Sequence, residues 1–131
     1  MNRTIATSAE NNVRDRARVL VIDDDASIRS LLVAVLKRNY LVVVAKDGLS
    51  GFTKAREYPP DIAVIDIQMP GWDGLQTLAA FRKEPSLAHV RTIVLTSDAS
   101  RDTVLAAVQA GANDYMIKTG FSREEFDRKV A

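Results

Sequence analysis

The chain has no cysteine, one histidine and one tryptophan. Without thiols it can build no disulfide, no thiolate metal site and no cysteine nucleophile. No apolar run approaches the roughly 20 residues needed to cross a bilayer. An excess of charge of one sign is also missing. With 18 basic and 17 acidic residues the formal net charge is +1, so nothing favours nucleic acid or an anionic membrane as a partner. There is no Gly-rich phosphate loop, which leaves ATP without a binding motif. No helix-turn-helix pattern is present either, so direct DNA binding is not expected. The opening Arg3-Thr4-Ile5-Ala6-Thr7-Ser8-Ala9 is too short and too polar for a signal peptide. These absences together predict a soluble, cytoplasmic protein.

What is present suits one ordered domain. The 131 residues are 47% apolar and 27% charged, enough for a core and too apolar for disorder. Residues 1–17 are polar, with isolated apolar positions, and read as a flexible N-terminal arm; residues 18–131 read as the domain. Short apolar runs at Val19–Ile22, Leu41–Ala45, Ile62–Ile65, Thr92–Leu95 and Tyr115–Lys118 read as strands, and the β-branched run Val19–Ile22 as one covered on both faces. Between them lie helical patterns. The strongest places Ile28, Leu31, Leu32, Val35 and Leu36 on one stripe, with Asp25 or Ser27 as its cap and Asn39 available for a left-handed turn at its end. Leu49, Phe52 and Ala55 make a weaker helix, stopped before Pro59-Pro60. Leu75, Leu78 and Phe81 make a third, after Gly74. Val104, Leu105 and Val108 make a fourth, ended by Gly111. Ser122-Arg123-Glu124-Glu125 has the spacing of a capping box, followed by Phe126 and Val130 on an inward face. Five strands alternating with five helices predict an α/β fold, a doubly wound five-stranded parallel sheet with helices on both faces.

In such a sheet, ligands bind outside the carboxyl ends of the strands. The first run ends in Asp23-Asp24-Asp25, the third in Asp66, the fourth in Thr96-Ser97 and the fifth in Lys118. Asp23, Asp24 and Asp66 brought together would repel one another. A hard divalent cation such as Mg²⁺ relieves that repulsion and reaches on to phosphate oxygens. A lysine and a hydroxyl nearby complete a site complementary to a phosphoryl group. No histidine or base sits beside Thr96, so the nucleophile is one of the acids, and a carboxylate attacking phosphorus forms an acyl phosphate. Asp25 and Asp73 read instead as turn-formers or caps. His89 and the Arg101-Asp102 pair read as solvated. Trp72 reads as a half-buried lid on Met69 or Pro70, or as an anchor for a partner.

Four segments carry a resemblance: Val19-Leu20-Val21-Ile22-Asp23-Asp24-Asp25, the stretch from Val64 through Asp66, Gln68, Met69 and Pro70 to Gly74, Ile93-Val94-Leu95-Thr96-Ser97, and Ala110 through Asp114 and Tyr115 to Lys118. In this order and spacing they resemble the receiver domain of bacterial two-component response regulators, the CheY-like fold. The resemblance implies Asp66 as phosphoacceptor, and a Mg²⁺ (or Mn²⁺) site from Asp23, Asp24, Asp66 and the Gln68 backbone carbonyl. Asp24 would be the more direct ligand, with Asp23 acting through water. It implies phosphoryl contacts from Thr96, Ser97 and Lys118, a switch made of Thr96 and Tyr115, and tuning of the acyl phosphate's lifetime by Gln68 and Asp98. The implied partners are a histidine kinase or histidine phosphotransfer protein and a downstream protein target or fused output domain, with no nucleic acid or membrane contact; a homodimer is compatible. The implied activity is limited to self-phosphorylation and slow autodephosphorylation.

The family usually has proline after the lysine, often with a cis bond. Here Thr119 takes that place, so trans geometry or a loop rebuilt around Gly120 is expected. That departure favours a second reading, a constitutive interaction module on the same fold. A third, a phosphohydrolase, would want an acid two residues beyond the nucleophile, where this chain has Gln68.

Overall fold

Strands β1 (Arg18–Ile22), β2 (Leu41–Ala45), β3 (Ile62–Asp66), β4 (Arg91–Thr96) and β5 (Asp114–Ile117) alternate with helices α1 (Ala26–Leu36), α2 (Gly48–Glu57), α3 (Gly74–Lys83), α4 (Arg101–Gln109) and α5 (Arg123–Val130). The computed structural model describes residues 16–98 and 100–131. Residues 1–15 of the expected arm lie outside the described residues. Its last two residues touch the domain: Arg16 Nη1 donates to the Lys37 carbonyl at 3.0 Å, and the Ala17 carbonyl accepts from the Leu41 N–H at 2.9 Å.

The strands form one sheet in the order β2-β1-β3-β4-β5, every pair parallel. The order reverses between β1 and β3, which opens a crevice at their carboxyl ends. β3 is buried along its whole length, which is why its sequence is a continuous apolar run rather than an alternating one. Side chains leave β1 alternately. Leu20 and Ile22 join Ile65, Leu78, Phe81 and Val94 beneath α2, α3 and α4. Val19 and Val21 join Leu32, Leu36, Val64, Leu95 and Phe126 beneath α1 and α5. The sheet thus separates two cores. Each fully buried Leu, Ile or Phe contributes on the order of 1.5–3 kcal/mol.

The capping chemistry follows the sequence in most places. Asp25 caps α1, accepting from the Ser27 and Ile28 N–H groups. Asp73 caps α3 in a full capping box with Gln76. Gly111 follows the Ala110 cap of α4 with φ +108°. Three expectations are corrected. Asn39 does not turn left-handed: no non-glycine residue described has positive φ, and the Asn39 and Tyr40 N–H groups close the turn onto the Leu36 carbonyl instead. Ser122 accepts from the Glu125 N–H at 3.2 Å, which is one half of the expected box. The third concerns apolar stripes. Leu31, Leu49, Leu105 and Val108 are 45–55% exposed, while α2 buries Gly48, Gly51 and Ala55 and α4 buries Ala107. Small residues let α2 approach both the sheet and α3 closely. A Cβ on Gly51 would lie 2.4 Å from Ile22 Cδ1, and one on Gly48 would lie 2.2 Å from Thr77 Oγ1.

Helix α5 is only eight residues long and is held from outside itself. Phe126 is fully buried and meets Tyr40 edge-on at 5.1 Å. The Tyr40 hydroxyl donates to Asp127, whose carboxylate is also paired within the helix by Arg123 at 2.9 Å. Burial first, then the hydrogen bond to Asp127 and the Asp127 charge, push the Tyr40 phenol well above its ordinary pKa, so it stays a donor.

Candidate functional site

Ladder hydrogen bonds running past the strand ends bring the chemistry together. The Asp23 N–H reaches the Ala45 carbonyl, the Ile67 N–H the Leu95 carbonyl and the Lys118 N–H the Thr96 carbonyl, all at 2.9–3.1 Å. Asp23, Asp66, Thr96 and Lys118 therefore line one edge of the sheet. Asp23 is 0% and Asp66 1% exposed, while Asp24 is exposed. One carboxylate oxygen from each of the three lies within 4.8 Å of the other two. Lys118 Nζ sits 3.0 Å from Asp66 Oδ1 and 3.4 Å from Asp23 Oδ2.

The loops complete this geometry. Asp23 Oδ1 accepts from the Asp25 N–H at 2.9 Å, and Arg29 Nη1 donates to the Asp23 carbonyl at 2.8 Å. Asp66 Oδ1 accepts from the Gln68 N–H at 3.2 Å. Asp23 Oδ2 and Asp66 Oδ2 are buried and take no hydrogen bond; the 3.4 Å approach of Lys118 to Asp23 is Coulombic. A buried carboxylate oxygen without a donor costs free energy unless something cationic meets it. Asp66 Oδ2 has neither a hydrogen bond nor a paired cation, and a cluster of three carboxylates has the hard-oxygen donor set of Mg²⁺ or Mn²⁺, so these residues fit such an ion.

Residues 19–131 match the response regulator receiver domain. The chain belongs to that family. This receiver domain is 33% identical to the DNA-binding response regulator MtrA of Mycolicibacterium paratuberculosis over 104 residues, 79% of the chain and 45% of MtrA. It is 30% identical over 122 residues to hybrid signal transduction histidine kinase D of Dictyostelium discoideum, covering 93% of the chain and 8% of the kinase. The chain thus spans less than half the length of these curated relatives. Among solved structures, the Vibrio cholerae chemotaxis protein CheY4 superposes with a TM-score of 0.81 at 26% identity, over 88% of this chain and 96% of that one.

Electrostatics in the receiver domain follow from burial. Burial pushes the Asp66 carboxyl up to about 6; the Lys118 hydrogen bond and the Gln68 N–H oppose the rise, and the Asp23 charge adds to it. Burial draws the Lys118 ammonium down, but Asp66 and Asp23 outweigh it and hold its pKa above the ordinary value.

Not every expected residue converges. Thr96 is buried, but its hydroxyl donates to the Asp98 carbonyl at 2.7 Å and accepts from the Asp98 N–H at 2.9 Å. Ser97 and Asp98 are exposed, and the Asp98 carboxylate points to Ser100 and Thr103. Tyr115 is half-buried against the α2–α4 core, with Lys129 Nζ 5.0 Å from its ring centre. Lys129 is held in turn by Asp114 at 3.1 Å. Among the described residues no peptide bond is cis, and Gly120 takes φ +78°. The chain therefore leaves Lys118 through a trans bond into a loop that turns at Gly120. Trp72 is half-buried as expected, but its ring packs on Phe52 at 5.7 Å and its Cβ against Gly48, both in α2.

Sequence reasoning missed Arg29 and Arg82. Arg82 sits at the opposite end of the sheet and donates to the Ala88, Val90 and Gly111 carbonyls, to Thr92 Oγ1 and to Asn113 Oδ1, all at 2.7–3.1 Å. An arginine on the last turn of a helix reads only as a favourable end charge. Its five donors find carbonyls supplied by loops distant in sequence, and no local pattern marks these.

Proposed function

We propose that this receiver domain accepts a phosphoryl group on Asp66 from the phosphohistidine of a histidine kinase or histidine phosphotransfer protein. The observation that carries the reading is a buried carboxylate whose Oδ2 has no donor, 3.0 Å on its other oxygen from a lysine. The Asp66 oxygen attacks phosphorus. The new O–P bond forms as the N–P bond to the donor imidazole breaks, and the imidazole, which carries its proton on the other ring nitrogen, departs neutral. Lys118 neutralises charge on the transferred group and stays paired with it. Asp23, Asp24, Asp66 and the Gln68 carbonyl would hold Mg²⁺ or Mn²⁺, which supplies charge neutralisation on the phosphoryl oxygens. Slow hydrolysis of the acyl phosphate resets the domain.

The Thr96 hydroxyl moves toward the phosphoryl group in this reading, Ser97 leaves room for it, and Tyr115 moves with it. Leu105 and Val108, exposed on α4, provide apolar surface for a protein target or a second copy of the chain near β5 and α5. No described helix is long and apolar enough to cross a membrane, which is compatible with a cytoplasmic site of action. The Thr119 departure, the one feature that favours a constitutive module, leaves Lys118 3.0 Å from Asp66, as the phosphoryl-accepting reading needs.

The test is intact mass after incubation with Mg²⁺ and acetyl phosphate. A single phosphoryl adduct is expected on wild type and none on Asp66→Ala or in EDTA. An adduct that survives Asp66→Ala refutes the assignment.

A further inference from the structure

The β4–α4 loop contains a hydrogen-bonded chain that runs from the phosphoryl site to the start of a helix. Thr96, on β4, has one hydroxyl proton, and that proton is committed to the Asp98 carbonyl at 2.7 Å. A hydroxyl donates only once. Thr96 therefore cannot donate to a phosphoryl oxygen on Asp66 while it holds Asp98, and the two arrangements exclude each other. The Asp98 carboxylate is committed as well. Oδ1 accepts from the Ser100 N–H at 2.8 Å, and Oδ2 lies 3.3 Å from both Ser100 Oγ and Thr103 Oγ1. Ser100 is the N-cap of α4 and its hydroxyl accepts from the Thr103 N–H. The carboxylate closes a turn two residues ahead of itself and places a negative charge at the start of α4, both favourable arrangements.

We propose that Asp98 is a positioning residue, a clamp that holds the Thr96 hydroxyl in its resting place and ties that place to the first turn of α4. The proposal rests on Asp66 being the phosphoryl acceptor. Its backbone N–H and carbonyl grip Thr96 while its side chain grips Ser100 and Thr103. When Thr96 turns to a phosphoryl oxygen it gives up the Asp98 carbonyl, and the released loop carries the α4 turn with it. A cavity of about 260 Å³, bounded by Ile67, Gln68, Leu75, Asp102 and Ala106, lies beside Thr96 and Asp98 and leaves room for this movement. Asp98 thus acts on the phosphoryl site through Thr96, not by touching the phosphoryl group. The route to α4 runs through the Asp98 carboxylate to Ser100 and Thr103 and is separate from the ring of Tyr115.

The test compares wild type with Asp98→Ala and Asp98→Asn, since Asn keeps an oxygen for the Ser100 N–H. Without phosphodonor, amide hydrogen exchange at Ser100 should be about tenfold faster in Asp98→Ala and near wild type in Asp98→Asn, the size expected for one lost charge-assisted hydrogen bond. With Mg²⁺ and acetyl phosphate, intact-mass time courses should show uptake several-fold faster in Asp98→Ala, with the Asn variant restoring the wild-type rate. Phosphorylation should change exchange at Thr103 and Val104 in wild type and leave it unchanged in Asp98→Ala. Equal Ser100 exchange in wild type and Asp98→Ala overturns the clamp. Faster exchange with unchanged uptake overturns its hold on Thr96. If wild type takes up no phosphoryl group, the acceptor reading fails, and the exchange arm still decides whether the clamp exists.

Discussion

Replacing Asp66 by Asn should make the metal-free protein more stable at neutral pH. Asp66 is 1% exposed and its carboxyl is pushed from the ordinary 3.8 up to about 6, with burial as the largest cause. A carboxyl raised in the folded state favours folding fully below the unfolded value, and that contribution is lost as the pH rises through the folded value. The window for Asp66 is therefore 3.8 to about 6. The gap corresponds to about 3 kcal/mol of destabilisation once the group is fully ionised. This is net of Lys118, whose attraction already lowers the value. Asn has nearly the same shape, keeps an oxygen for Lys118 and carries no charge to desolvate. Lys118 retains Asp23 at 3.4 Å. Urea unfolding in EDTA, followed by Trp72 fluorescence, should show a gain of up to about 3 kcal/mol above about pH 7, with about half of it left near pH 5. Saturating Mg²⁺ should reverse the order, because the ion stabilises wild type by mass action and has one ligand fewer in the variant. A loss of stability for metal-free Asp66→Asn above pH 7 would refute the claim that burial dominates this site.

Other outcomes depend on single contacts. Arg82→Ala strips donors from three loop carbonyls, Thr92 and Asn113 at once. Its urea midpoint should fall by the equivalent of at least about 2 kcal/mol, and a near-neutral result would mean that water satisfies those acceptors. Gly48→Ala forces a Cβ to 2.2 Å from Thr77 Oγ1 and 2.8 Å from Trp72 Cβ; a loss of about 1–3 kcal/mol with a shifted Trp72 emission is expected, and wild-type stability would contradict the close packing of α2. Lys129→Met removes the ammonium over Tyr115 and its pair with Asp114. That should cost about 1 kcal/mol or less and sharpen the Tyr115 ring signals by NMR as the ring gains freedom; an unchanged spectrum would mean that the core alone holds the ring.

The fold was legible because β strands buried on both faces must be written as apolar runs, and Val19–Ile22 and Ile62–Ile65 are such runs. The acids were legible because Asp23 and Asp66 end those runs, where neither strand burial nor turn formation calls for clustered carboxylates. Helix faces were harder to read. In α2 and α4 the buried stripe is made of glycine and alanine, so the large apolar residues Leu49, Leu105 and Val108 pointed to the wrong face. Thr96 and Asp98 were legible as positions but not as partners, since their hydrogen bonds depend on the path of the loop. Arg82 and Lys129 could not be read at all: their partners come from loops and strands up to 31 residues away.

The central claim is that Asp66 itself carries the phosphoryl group. Borohydride reduces an acyl phosphate to an alcohol, so an aspartyl phosphate becomes homoserine. Wild type phosphorylated with Mg²⁺ and acetyl phosphate, reduced, digested and sequenced by mass spectrometry should show homoserine at position 66 alone. Homoserine at Asp23 or Asp24, or none anywhere despite a phosphoryl adduct in the intact mass, would contradict the account.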